Sequence, residues 1–163
     1  MIPDTSRRRG LWPALAMLTL ALAGTAYAAA PDDPGAKGQQ VIRLVEASAQ
    51  PQLKLVDVGD PGPSVGDQVI LRDGLNRLDG SAAGTLQQVC TMTVLGASPM
   101  AGTFECIGSI ALADGTITMA GPFSPAVAGQ AQAVTGGTGA FRAARGEVAI
   151  RAEADVLTVR LAR

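Results

Sequence analysis

The chain contains no histidine. That absence removes the Ser-His-Asp triad, the Cys-His nucleophile pair and every metal site built on imidazole. Aromatic residues make up only 3% of the 163 residues. The single tryptophan and tyrosine, Trp12 and Tyr27, both fall near the N-terminus, so Phe104, Phe123 and Phe141 are the aromatic residues of all that follows. Charge is nearly balanced at −1, and no basic run lies beyond the first few residues. Nucleic acid and anionic membrane are therefore poor partners. The one long apolar run, residues 11–23, is shorter than the roughly 20 residues of a membrane span.

What is there begins with an export signal. Arg7, Arg8 and Arg9 precede the apolar run, and Ala26-Tyr27-Ala28 is a small-x-small cleavage site. Residues 1–28 are expected to be removed and the remainder to be secreted or periplasmic, with no membrane partner after cleavage. A retained anchor is the other reading of the same run. Ser6-Arg7-Arg8 fits the twin-arginine pattern poorly, and no cysteine near the cleavage site offers a lipid attachment point. Residues 29–40, rich in Pro, Gly, Asp and Gln, read as a flexible lead-in. Residues 41–163 are then one domain with one core.

Within that domain β-type runs fall at residues 41–47, 52–58, 65–72, 85–95, 102–112, 116–120, 130–135, 147–152 and 156–161. Breakers separate them: Gly59-Asp60-Pro61-Gly62-Pro63, Asp73-Gly74 with Asp79-Gly80, the hairpin signal Asp114-Gly115, and Gly121-Pro122-Phe123-Ser124-Pro125. No stretch has the caps and period of a helix. Eight or nine short strands with turns between them mean an all-β barrel or sandwich, and periodicity does not choose between the two.

The two cysteines, Cys90 and Cys106, sit on the two longest runs. A hairpin centred on Ser98 sets Cys90 against Cys106, Met92 against Phe104 and Val94 against Gly102. Directly opposed residues have Cβ atoms about 4.5–5.5 Å apart, close to disulfide range. In an exported chain this register predicts a structural bridge; the spacing is not the Cys-x-x-Cys of a redox pair.

The densest motif is Gly136-Gly137-Thr138-Gly139-Ala140-Phe141-Arg142-Ala143-Ala144-Arg145-Gly146-Glu147-Val148. Gly136, Gly137 and Gly139 demand a tight turn in which at least one of Gly137 and Gly139 has φ > 0, and Gly146 closes the segment. It is not a phosphate loop, since Arg142 stands where a third glycine belongs and no Walker lysine follows. The segment resembles the GGTG-x-[FY]-x-x-ARG stretch of dirigent proteins and the related glycine stretch of plant allene oxide cyclases. Gly62-Pro63-Ser64-Val65-Gly66-Asp67-Gln68 with Asp73-Gly74-Leu75, and Thr103 to Ser109 with Asp114-Gly115-Thr116-Ile117, are similar to the opening strand and central hairpin of bacterial barrels of that kind. The resemblance implies an eight-stranded antiparallel β-barrel, a small hydrophobic ligand, cyclisation or isomerisation without a cofactor or metal, and a homo-oligomer, a trimer in the plant families. Two departures count against phenoxy-radical coupling: Ala140 replaces the aspartate that often follows the dirigent glycine triplet, and the pocket tyrosines are missing.

The candidate catalytic residues are Arg145, Glu105 and Asp73, and the candidate ligand contacts are Phe104, Phe141 and Arg142. A guanidinium at the barrel mouth would stabilise a developing oxyanion. The competing reading has Arg142 and Arg145 bracing the glycine loop against Asp67, Asp73 or Glu147. Glu105 points to the face opposite Phe104 and Cys106: a buried proton donor if that face is the lumen, a solvated charge if it is not. Asp73 either serves as an acid or caps its own turn. Phe104 and Phe141 fill the core or touch ligand, and Phe123, between prolines, belongs at a mouth or interface. A barrel whose lumen is filled would be a non-catalytic binding or structural module instead.

Overall fold

The computed structural model describes residues 38–48, 51–59, 61–98, 101–151 and 156–162; the segment expected to be an export signal and most of the expected lead-in lie outside them. Nine strands form one antiparallel sheet: β1 (Gln39–Glu46), β2 (Gln52–Val56), β3 (Gln68–Asn76), β4 (Ala82–Val94), β5 (Thr103–Leu112), β6 (Gly115–Phe123), β7 (Ala131–Gly137), β8 (Gly146–Arg151) and β9 (Val156–Ala162). Their order is β1-β9-β8-β7-β6-β5-β4-β3-β2, and a further β1–β3 pairing closes the sheet on itself. The first two strands share one edge of β3. Val45 and Glu46 pair with Asn76 and Leu75, and Gln52 to Val56 pair with Arg72 to Gln68. The result is a closed eight-stranded antiparallel barrel, with β2 continuing the β1 position beyond a break.

Alternation sets the inner wall. Along β5, Phe104, Cys106 and Ile110 are buried while Glu105 and Ile107 are exposed. In the same way Leu86, Gln88, Cys90 and Met92 point inward from β4, and Ile117 and Met119 from β6. Thirteen buried residues, from Leu44 to Leu161, fill the greater part of the lumen. Each large aliphatic side chain among them contributes roughly 1.5–3 kcal/mol by leaving water. A second cluster of Cys90, Met92, Phe104 and Cys106, with Val69 and Phe123 packed on it, occupies one end.

Cys90 and Cys106 are bridged as a directly opposed pair with Cα atoms 4.0 Å apart. Met92 faces Phe104 as the hairpin register requires, but a bulge follows, and Val94 faces Thr103 rather than Gly102. Two breakers lie inside strands. Asp73-Gly74 is within β3, and the missing side chain of Gly74 lets Ala47 approach: a Cβ there would be 3.1 Å from that of Ala47. β6 runs on through Gly121-Pro122-Phe123, paired with β5, because its ladder with β7 has ended at Ala120–Ala133 and the proline owes no hydrogen bond there. β1 begins at Gln39, opposite Ala162, two residues before the expected strand start.

The glycine motif seals the other end. β7 extends through Gly136-Gly137, a 3-10 turn covers Gly139–Phe141, and Phe141 and Ala144 are buried in the main core. The loop lies on the β5–β6 hairpin: Ala140 N donates to the Asp114 carbonyl and Thr138 N to that of Thr116 (2.9 and 2.8 Å). Gly139 has φ +57°, and a Cβ on it would strike the Asp114 carbonyl oxygen. Gly137 is not in the left-handed region, but a Cβ on it would strike the Thr116 oxygen.

Two outcomes follow from this geometry. Alkylation without reductant, read by mass, should find no free thiol in the folded protein, and replacing both cysteines by alanine should lower stability by about 2–5 kcal/mol. Gly139→Ala should lower it by about 1–3 kcal/mol, since strain and close approach act together. An unchanged melting temperature for Gly139→Ala would contradict the loop's sealing role.

Candidate functional site

The antiparallel course puts the β2–β3, β4–β5 and β6–β7 loops at the end opposite the glycine motif, and among the described residues nothing plugs this end. A cavity of about 430 Å³ lies in its mouth, with Leu55, Pro63 and Gln68 on its sides and Val69, Met92 and Phe104 among its walls. Val69, Met92 and Phe104 are the outermost inward-facing residues of β3, β4 and β5, so the cavity is the unfilled top of the lumen. The disulfide lies one inward step below Met92 and Phe104 and locks the floor.

The lip of the mouth is built by two aspartates. Asp67 accepts from Val58 N at Oδ1 and from Ser64 N at Oδ2 (2.9 and 2.8 Å), and Asp57 accepts from Gly62 N (2.9 Å). Reciprocal backbone bonds, Met92 N to the Asp67 carbonyl and Gly66 N to that of Met92, tie this loop to the end of β4. The Val58 amide first, and then the Ser64 amide, holds the Asp67 carboxyl below its ordinary range. Among the described residues no group of three or more Cys, Asp or Glu side chains is placed to hold a metal ion.

Polar groups also stand deeper. Gln88 and Gln132 are buried, and Gln88 Nε2 donates to Gln132 Oε1 across the lumen (2.7 Å). Room for them comes from inward-facing glycines on the two strands between: a Cβ on Gly108 would be 3.1 Å from Gln88 Cγ, and one on Gly121 would be 3.6 Å from Gln132 Cβ. Asp73 faces the lumen from β3 opposite Leu86 and is only 6% exposed. Its Oδ1 accepts from Gly74 N (2.8 Å), while Oδ2 is buried with no hydrogen-bond partner. Such an oxygen costs roughly 1–3 kcal/mol. Asp73 lies two inward positions below Val69, beneath the cavity rather than in its wall.

The sequence candidates therefore separate. Phe104 is in the cavity wall, and Phe123 packs beside it. Asp73 is inside the barrel. Glu105 is on the outer face, directly opposite Thr91 and Pro122, so it is no lumen acid. Phe141 is core at the sealed end, and Arg142 and Arg145 are exposed there, far along the strands from the mouth. Neither arginine braces the loop in the way expected. Arg145 Nη1 donates to the Ala144 carbonyl (2.8 Å), Glu147 pairs with Arg160 (2.9 Å), and Asp67 serves the lip. Gln88 and Gln132 escaped notice, although the alternation that places Cys90 inward also places Gln88 there.

A family model, "Allene oxide cyclase barrel like domain", matches residues 45–161. Among solved structures, a pyocyanin demethylase superposes with a TM-score of 0.60 at 27% identity, covering 75% of this chain and 98% of that one. An exo-specific intermolecular Diels-Alderase gives 0.54 at 18%, covering 78% and 98%. A pterocarpan synthase dirigent protein gives 0.52 at 20%, covering 80% and 91%. No curated protein matches in sequence.

The lip gives a pH test. A folded pKa below the unfolded value means that Asp67 stabilises the loop fully above about pH 4 and ceases to do so as pH falls through the lower folded value. The Val58 and Ser64 amide resonances should hold their positions from neutral pH to about pH 4 and shift below it. Asp67→Asn should abolish that acid transition; an identical titration in the variant would show that Asp67 is not the tie.

Proposed function

The chain belongs to the allene oxide cyclase barrel like family, and from that premise we propose that it is an exported barrel that takes a small hydrophobic ligand in its mouth and cyclises or isomerises it there without a cofactor. The observation that carries the reading is the apolar cavity of about 430 Å³ above the disulfide, within the range of small-molecule sites. The solved demethylase and Diels-Alderase support it in part, because this fold serves as an enzyme in them. Fold alone assigns no reaction.

Catalysis in such a site rests on confinement and few polar groups. Asp73 is the one catalytic candidate that faces the lumen, and a ligand donor would relieve its unpartnered carboxylate oxygen only by reaching below the cavity, past Val69 and Leu71. Arg145, Arg142 and Glu105 drop out, standing outside the lumen. The filled lower lumen favours a second reading, a binding module without turnover.

Copies of the chain are taken to associate through the outer wall of β3–β7. Ile70 on β3, Val89 and Ile107 are exposed and stand in line across paired strands, continued by Ala120 and Ala133, and Arg72 and Glu105 are the two charges among the outward positions of β3–β7. Ile107→Lys should convert an oligomer, a trimer by family resemblance, into monomers in light scattering.

The neutral probe N-phenyl-1-naphthylamine should bind one per chain, and Met92→Trp, which fills the cavity, should weaken it at least about tenfold. Unchanged binding in that variant would refute the mouth as the site. Asp73→Leu should keep or raise the melting temperature, the mark of a residue retained for function at the expense of stability. A fall of more than about 1 kcal/mol would make Asp73 structural.

A further inference from the structure

The two ends of the barrel differ in the side chains they offer to solvent. Twelve large hydrophobic side chains are exposed among the described residues, and seven of them ring the mouth: Leu53 and Leu55 on β2, Val58 and Val65 on the lip, Val94 and Leu95 after β4, and Val127 between β6 and β7. They are 44–72% exposed. The segments that carry them adjoin, through the Met92–Asp67 and Gly66–Met92 backbone bonds and through Ser124 Oγ donating to the Gly102 carbonyl (3.2 Å). Residues 95–102 and 124–130 contain no charge, and the lip's charges are aspartates. The sealed end is the reverse: Arg77, Asp79, Asp114, Arg142 and Arg145 surround one exposed aliphatic, Leu78.

Leu53 and Leu55 pair with Leu71 and Val69, so they lie on the inner face of the sheet, yet they are 60% and 72% exposed because β2 runs past the closed part of the barrel. The apolar wall of the cavity thus continues through Leu55 onto the rim. Contiguous exposed apolar patches mark interaction surfaces.

We propose that the rim is a membrane-docking surface that seats the barrel mouth-down on a neutral bilayer, so that an apolar ligand passes from lipid into the cavity without crossing water. The ligand route rests on the binding reading above; the docking does not. Aliphatic side chains on four separate segments, with no Trp, Tyr or Arg anchor among them, suit a uniformly apolar layer better than a shaped protein pocket. Asp57 and Asp67 outnumber Lys54, the one basic residue of the four rim segments, and select zwitterionic over anionic lipid. Electrostatic attraction to anionic membrane is therefore weak, and the rim attaches by hydrophobic burial instead. Among the described residues no helix is long and apolar enough to cross a bilayer.

The test is flotation with phosphatidylcholine vesicles, using the chain from Ala29, whose Asp33–Arg163 part is a compact unit of its own. The chain should float, no less in 1 M than in about 0.1 M salt, and less when anionic phosphatidylglycerol is added. Leu55→Glu with Val65→Glu and Leu95→Glu should reduce the vesicle-bound fraction at least about tenfold, while Leu78→Glu at the sealed end leaves it unchanged. All these sites are exposed, so circular dichroism and the melting temperature should match the parent. No flotation, flotation that needs anionic lipid, or equal loss in Leu78→Glu overturns the proposal. So does a mouth-to-mouth dimer that the rim substitutions dissolve in a chain that never floats. Soluble-probe binding keeps the two readings apart: a chain that floats but binds no probe loses the cavity reading alone, and one that binds probe but does not float loses the docking alone.

Discussion

Two residue pairs close the barrel, Val45 with Asn76 and Glu46 with Leu75. A sheet left open there would expose a free edge on β1 and another on β3, with the core facing water between them. The closing ladder is short because β1 divides its length, giving Gln39 to Val45 to β9 and only its last residues to β3. The chain then loops out and returns as β2 to cover the rest of the β3 edge. The mouth follows from this arrangement. β2 protects the edge of β3 but is not enclosed by the barrel, so Leu53 and Leu55 stay on the inner face and in solvent at once.

A closed barrel still has two ends, and the chain treats them oppositely. At one, glycines allow backbone to lie against backbone: Gly139 on the Asp114 carbonyl, Gly115 on that of Thr138, Gly137 on that of Thr116. Phe141 is thereby pressed into the core as a plug. The motif that looks most like chemistry in the sequence is a seal, and its arginines stay in water. At the other end the described residues supply no such plug, a disulfide fixes the floor, and carboxylates hold the lip through backbone amides.

Strand-by-strand, the fold was legible because breakers and alternation are local properties. The cysteine register could be read because a hairpin of known centre leaves one pairing, at least until the bulge at Val94. The errors share a cause. Asp73-Gly74 and Gly121-Pro122 carry turn residues, but one glycine admits Ala47 and the proline stands beyond the end of a ladder. Tertiary neighbours, invisible in a local window, decided both. Glu105 was left ambiguous by alternation, which gives opposite faces without saying which is inner; the burial of Phe104 and Cys106 resolves it. The arginines depart from both expected roles because the motif shows proximity along the chain only, and the nearest carboxylate, Glu147, is already held by Arg160.

Asp73 and the Gln88–Gln132 pair stand apart from that pattern. Nothing in β-propensity or core packing requires a carboxylate or two amides inside an otherwise aliphatic barrel. The glutamines satisfy one another only because Gly108 and Gly121 give up volume on the strands between them. Asp73 has no such compensation at Oδ2. A leucine there would suit the packing better, since neighbours such as Leu86, Ile110 and Ile117 already fill that level. Stability therefore does not explain the aspartate, which is the ground for proposing it as a contact for a donor entering the lumen. On the reading proposed above, a ligand that reaches Asp73 enters by the apolar mouth, so it would be largely hydrophobic and carry a hydrogen-bond donor at its leading end.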